Sequence, residues 1–153
     1  MIKNIILLMF LISSSIFASE ARIEVKWAKN FETGMKEAAR FNKPVMFVSS
    51  RHTCRFCVIL EDTTFSDAMI IKDLNENFIT IVSYSDENDY IPRNLWRPGT
   101  PAIWFLNSDG APMFQPLMGA VGIKDFQGIL PQVKQEFNTL QKKEKNDFYK
   151  LEK

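Results

Sequence analysis

The sequence predicts an α/β domain, a central mixed β-sheet of four to five strands flanked by helices. Three observations carry this. Residues 45–48 (Val-Met-Phe-Val) and 102–106 (Ala-Ile-Trp-Phe-Leu) are continuous apolar runs, as strands covered on both faces require. Segments with helical spacing lie between the strand-like runs, so the early strands are joined by crossovers and run parallel. Asn107-Ser108-Asp109-Gly110 is a tight-turn signal that reverses the chain near the end.

Taken in order, residues 23–27 alternate apolar and polar side chains and predict a half-buried first strand. In residues 30–41, Phe31, Met35, Ala38 and Ala39 recur at helical spacing opposite Glu32, Lys36, Glu37 and Arg40. Pro44 ends that helix, because the residue before a proline is pushed out of the helical region. Residues 45–48 form a central strand, and residues 49–53 a loop. A helix follows from Cys54 with Phe56, Ile59 and Leu60 as its apolar positions. Residues 63–67 interrupt it, and Ser66 is the expected N-cap of a further helix ending at Asn77.

Residues 78–82 predict another central strand, and residues 83–99 a long polar loop of the kind that is functional or mobile in a compact domain. After the strand at 102–106 and the turn, residues 111–115 are expected to return as an antiparallel edge strand flanked by Pro112 and Pro116. The last helix carries the stripe Phe126, Ile129, Leu130, Val133, Phe137 and Leu140, with Pro131 expected to kink or restart it and residues 141–153 to fray.

The first 18 residues stand apart. Lys3 precedes an unbroken apolar run, then Ser13-Ser14-Ser15-Ile16-Phe17-Ala18, the pattern of a secretory signal peptide cut after Ala18. The run is shorter than the roughly 20 residues of a membrane span, and an uncleaved anchor is the alternative. This leaves one domain over residues 19–153. Without Lys3 its basic and acidic residues are equal in number, so neither nucleic acid nor an anionic membrane is electrostatically favoured. Export would also take the cysteines out of the reducing cytosol, to the periplasm.

There are 2 cysteines and 1 histidine, all in Ser49-Ser50-Arg51-His52-Thr53-Cys54-Arg55-Phe56-Cys57. A cysteine at a helix N-terminus has its thiolate stabilised by unpaired N–H groups and the helix dipole. The second, one turn on, reaches back to close a small ring. A bridge across so short a loop stabilises weakly, which suits a bond that is made and broken.

In this order the motifs resemble the thioredoxin-fold family: Lys43-Pro44 entering a buried strand, then Cys54-Arg55-Phe56-Cys57, then Gly99-Thr100-Pro101 before a strand, and the 107–110 hairpin. More narrowly, Leu60, Glu61 and Thr64-Phe65-Ser66-Asp67 are similar to exported thioredoxin-like proteins allied to the C-terminal domain of the thiol-disulfide interchange protein. The resemblance implies a thioredoxin fold over about residues 27–140. It implies Cys54 as attacking and Cys57 as resolving thiol, and Pro101 as a cis-proline facing them. The Thr100 backbone would then lie where an extended substrate pairs. It also implies no cofactor, protein disulfides as substrates, and a membrane or periplasmic redox partner. A monomer is expected.

Two features depart from thioredoxins proper. Thr53 replaces the Trp before the first cysteine, and residues 45–48 lack the buried acid that assists the second. Glu61 is a substitute one turn beyond Cys57. Arg51, Arg55 and His52 are expected to depress the Cys54 pKa, which favours oxidation, whereas the family likeness favours reduction. A different class remains open: His52, Cys54 and Cys57 as Cu(I) or Zn²⁺ ligands of a metal-delivery protein. A third is a redox-inert binding module using Thr100-Pro101. Trp96 and Trp104 are expected to pack, Phe56 to pack or to meet substrate, and Asp86, Glu87 and Asp89 to be solvated.

Overall fold

A computed structural model describes residues 23–151. The expected signal segment and the proposed cleavage point lie outside the described residues. The chain forms α1 (Phe31–Phe41), β1 (Val45–Ser50), α2 (Arg55–Asp62), a 3-10 turn (Thr64–Ser66), α3 (Ala68–Asn77), β2 (Ile79–Tyr84), β3 (Ala102–Leu106), β4 (Leu117–Met118) and α4 (Ile123–Leu151). The sheet has 4 strands in the order β2-β1-β3-β4, with β1 and β2 parallel and the other pairs antiparallel.

Strand alternation sorts the core into two layers. Met46 and Val48 of β1 pack with Ile103 and Phe105 against Leu60, Ile70, Leu74, Phe126 and Leu130, so α2, α3 and α4 cover one face. Val45 and Phe47 pack with Ile81, Trp104 and Leu106 against Ala38 of α1. Helix α1 does not cover that second face alone. The segment between β2 and β3, expected to be a polar loop, buries Leu95 there, and the Trp104 indole donates to the Leu95 carbonyl at 2.8 Å. The Arg97 guanidinium lies 4.4 Å above the Trp104 ring.

Several expectations are corrected. Residues 23–27 are not a strand, since Trp27 makes one isolated bridge to Thr80 while the Thr80 hydroxyl donates to the Lys26 carbonyl. The edge strand is β4 rather than residues 111–115, where the prolines leave one bridge, Leu106 to Pro112. Asp67, not Ser66, caps α3, its Oδ1 accepting from the Met69 and Ile70 N–H groups at 3.1 and 3.0 Å. Helix α4 runs through Pro131 as one assigned helix. It is helical to Leu151, and Gln141 donates to Asn107 Oδ1 at 3.0 Å while Asn107 donates to Glu144 at 3.2 Å.

Gly34 marks the closest approach of α1 to the sheet. A Cβ there would lie 2.5 Å from two side-chain atoms of the fully buried Ile81. Alanine would gain about 1 kcal/mol of helix propensity, but overpacking costs about 1–3 kcal/mol. Gly34→Ala is therefore expected to lower stability in urea unfolding. A variant more stable than the parent would show that α1 has room to move.

Candidate active site

The site forms where β1 ends and α2 begins. Cys54 is the N-cap of α2 in extended backbone, and its side chain caps no backbone group. The first N–H groups of the helix therefore have no side-chain cap and point toward the Cys54 sulfur, where they stabilise its thiolate form. Cys57, one turn on, is 1 % exposed. Both are free thiols, Cys54 half-buried and Cys57 buried. The Thr100–Pro101 peptide is cis, and the Cys54 thiol donates to the Thr100 carbonyl at 3.3 Å. Segments 46 residues apart in the chain are thereby brought face to face.

The two thiols are held in opposite directions. For Cys54, burial alone would raise the pKa. Hydrogen bonds from the Cys57 thiol, the Thr100 side chain and the N–H groups of Cys57 and Phe56 outweigh it and hold Cys54 below the ordinary thiol value. Burial, reinforced by the bond to Cys54, pushes Cys57 above it. The leading causes at Cys54 are therefore burial and these hydrogen bonds, not the arginines at 51 and 55. Iodoacetamide near about pH 7 is expected to label Cys54 and spare Cys57, because only the thiolate reacts. Tryptic mass mapping reads this directly. Equal labelling of both cysteines would contradict the split.

His52 finds its partners on β2 and the turn after it. Its ring stacks on Tyr84 with centroids 4.0 Å apart, and Nε2 meets Glu87 Oε1 at 2.9 Å. Among the described residues no group of three or more His, Cys, Asp or Glu side chains is placed to hold a metal ion. The structure thus brings together Cys54, Cys57, Thr100 and Pro101.

The acidic cluster is more than a solvated surface. Asp86 accepts from the Thr53 N–H at 3.3 Å, Glu87 meets His52, and Asp89 accepts from the Tyr84 N–H at 2.9 Å. The loop that carries it therefore braces the segment leading into Cys54. Arg55 and Phe56 open α2 on the surface, Phe56 being 58 % exposed. Trp96, expected to pack, is 57 % exposed and borders a recess with Arg51, Arg97 and Thr100.

Glu61 accepts hydrogen bonds from Ser50 and Tyr84. Sequence reasoning missed both of these residues, because it ended β1 at Val48 and β2 at Val82. The usable signal was the next same-face position on each strand, Ser50 and Tyr84, which pair in register.

The comparisons agree with this geometry. A thioredoxin from Thermus thermophilus superposes with a TM-score of 0.65 at 20% identity, over 77% of this chain and 93% of that one. The reduced C-terminal domain of Neisseria meningitidis DsbD gives 0.54 at 22% identity, over 66% and 91%. In sequence, Xenopus laevis anterior gradient protein 2 is 30% identical over 81 residues, 48% of this chain and 44% of that protein, so the chain spans under half the length of this relative. The structural likenesses establish a thioredoxin fold. The model of the family Thioredox_DsbH, described as a protein of unknown function, DUF255, matches residues 9–152. That match takes in the cysteine pair, the cis-proline step and every element of the sheet, and the chain belongs to the Thioredox_DsbH family.

Proposed function

We propose that the chain is an exported thiol-disulfide oxidoreductase that reduces protein disulfides. The observation that carries this reading is the pairing of a half-buried thiol of lowered pKa with a buried thiol of raised pKa, opposite the Thr100 carbonyl. A more acidic attacking thiol and a protected second thiol are what two-step disulfide exchange needs. The Cys54 thiolate attacks one sulfur of the substrate disulfide, the other sulfur leaves with the electron pair, and a mixed disulfide forms. Cys57 then attacks Cys54, which releases the second substrate thiol and leaves Cys54 and Cys57 joined. Two electrons pass from the protein to the substrate, and a redox partner must return them.

Phe56, Trp96 and Met118 are exposed apolar side chains, suited to an unfolded or extended polypeptide rather than a small solute. Export rests on the pattern of residues 1–18. The reducing direction rests on the likeness to the neisserial domain, known in oxidised and reduced forms. A membrane or periplasmic donor would recharge the pair, and the protein would act as a monomer. The test is alkylation of the two cysteines in cells. A largely reduced pair supports a reductase supplied with electrons, and a largely oxidised pair would overturn the direction.

A further inference from the structure

The recess beside Thr100 plays no part in the exchange steps. It has a volume of about 160 Å³, and its walls come from the end of β1, the residue after it, and the 96–100 stretch that leads into the cis-proline. Strand parity puts Ser49 on the Phe47 side of the sheet, opposite the face that Leu60 of α2 covers. Ser49 is only 6 % exposed, and among the described residues its hydroxyl has no hydrogen-bond partner. Every sealed side-chain oxygen or nitrogen among those residues does have one, so the Ser49 hydroxyl still opens on the recess. Buried hydroxyls are satisfied as a rule, and one left over at the wall of a recess marks the place of a ligand atom.

Two guanidinium groups share that wall. The Arg51 side chain makes no hydrogen bond or ion pair among the described residues. The acids of the neighbouring loop are engaged elsewhere, Asp86 with Thr53, Glu87 with His52 and Asp89 with Tyr84. Arg97 is held in place. It lies on the Trp104 ring, and its Nη1 donates to the Trp96 and Asn94 carbonyls at 2.7 and 3.3 Å. Its Nε and Nη2 donors remain unused, so a fixed fork has donors to spare. Among the described residues no Asp or Glu lines the recess. Two cations without a counter-charge and an unpaired hydroxyl are the partners that a carboxylate needs.

The recess is smaller than the roughly 300–1,000 Å³ of small-molecule sites, and it suits one side chain. It also shares Thr100 with the redox pair, whose carbonyl accepts from the Cys54 thiol. At about 3.3 Å per residue of extended chain, a side chain one or two residues from the substrate cysteine reaches the recess while that cysteine sits at Cys54. The exposed Trp96 ring stands at the rim, where an aromatic anchor covers the stem of such a side chain.

We propose that Ser49, Arg51 and Arg97 form a specificity subsite for an acidic side chain, so that the substrates are polypeptides with Asp or Glu within two residues of the disulfide cysteine. This rests on the oxidoreductase reading and names its substrate class.

The test is single-turnover reduction of peptide disulfides by the reduced chain. Each peptide is dimerised through one cysteine and carries Glu, Gln or Lys one or two residues from it, and the freed thiol is read by chromatography after acid quench. In the register that reaches the recess, the Glu peptide is expected to react roughly tenfold faster than the Gln peptide, with the Lys peptide slowest. The preference should shrink as salt rises. Arg51→Gln should remove most of it, and Ser49→Ala and Arg97→Lys part of it. All of these variants should reduce 2-hydroxyethyl disulfide, which bears no carboxylate, at the parent rate. Arg51 is exposed, so Arg51→Gln guards against a folding failure in Ser49→Ala. Equal rates for the Glu, Gln and Lys peptides in every register would overturn the subsite while leaving the oxidoreductase intact. So would an Arg51→Gln chain that is slowed as much on 2-hydroxyethyl disulfide as on the Glu peptide, since Arg51 would then act through Cys54. Oxidised glutathione separates the two sources of a carboxylate. If it is favoured and the acidic peptides are not, a small thiol takes the recess and the polypeptide occupant is overturned. A parent chain that reduces none of these disulfides would overturn the oxidoreductase reading itself.

Discussion

Cys57→Ser is expected to accumulate a covalent mixed disulfide between Cys54 and its substrate, whereas Cys54→Ser accumulates none and loses insulin reduction down to the uncatalysed background. The asymmetry follows from geometry. Cys54 is the more exposed thiol, at the N-cap of α2, where the N–H groups of Phe56 and Cys57 stabilise its thiolate. Cys57 is buried against Cys54 and meets only a bond already formed there. Removing the resolving thiol stops the second exchange without touching the first. The adduct should run as a higher band on a non-reducing gel and vanish on reduction. An adduct through Cys57 in Cys54→Ser would reverse the roles.

Trp104→Ala is expected to cost about 3–5 kcal/mol, since a large buried ring is removed from a packed layer. Trp104 is 2 % exposed, contacts Arg97 through its ring face and donates to the Leu95 carbonyl. That loss is a large share of the roughly 5–15 kcal/mol of a typical domain. Trp104→Phe keeps most of the ring but loses the indole bond, and should cost about 1 kcal/mol for that bond, plus a packing loss. Urea unfolding checks both. Because Trp104 anchors the segment that leads into Gly99 and Thr100, Trp104→Phe should also weaken substrate turnover more than an equally destabilising change on α1. A Trp104→Ala chain as stable as the parent would mean that the β2–β3 segment is not the cover of that sheet face.

Most of the sheet and the cysteine pair were legible because their signals are local. Short continuous apolar runs bounded by turn signals read as covered strands, and the order of strand, cysteines and helix places Cys54 at a helix end. What was missed depends on pairing. Residues 23–27 alternate correctly but lie where only Trp27 reaches Thr80. Residues 111–115 carry strand-like composition, yet Pro112 removes a donor and β4 forms later, where Leu117 and Met118 can face Ile103 and Ala102. The β2–β3 segment reads as polar, and its packing rests on Leu95, which no periodicity marks. His52 is near the cysteines in sequence. Its partners Tyr84 and Glu87 come from the end of β2 and the turn after it, the latter 35 residues on, and no local pattern shows that. Glu61 was legible through the resemblance, but its hydrogen bonds from Ser50 and Tyr84 need the β1–β2 register.

The central claim is that Cys54 and Cys57 are a working redox couple. The most direct measurement is equilibration of the purified chain in glutathione buffers of graded ratio, followed by acid quench, alkylation and mass analysis. The expected result is one reversible two-electron transition between a dithiol and an internal Cys54–Cys57 disulfide, at the same midpoint from either direction. Cysteines that stay free across the series, or that form only glutathione adducts and dimers between chains, would contradict it.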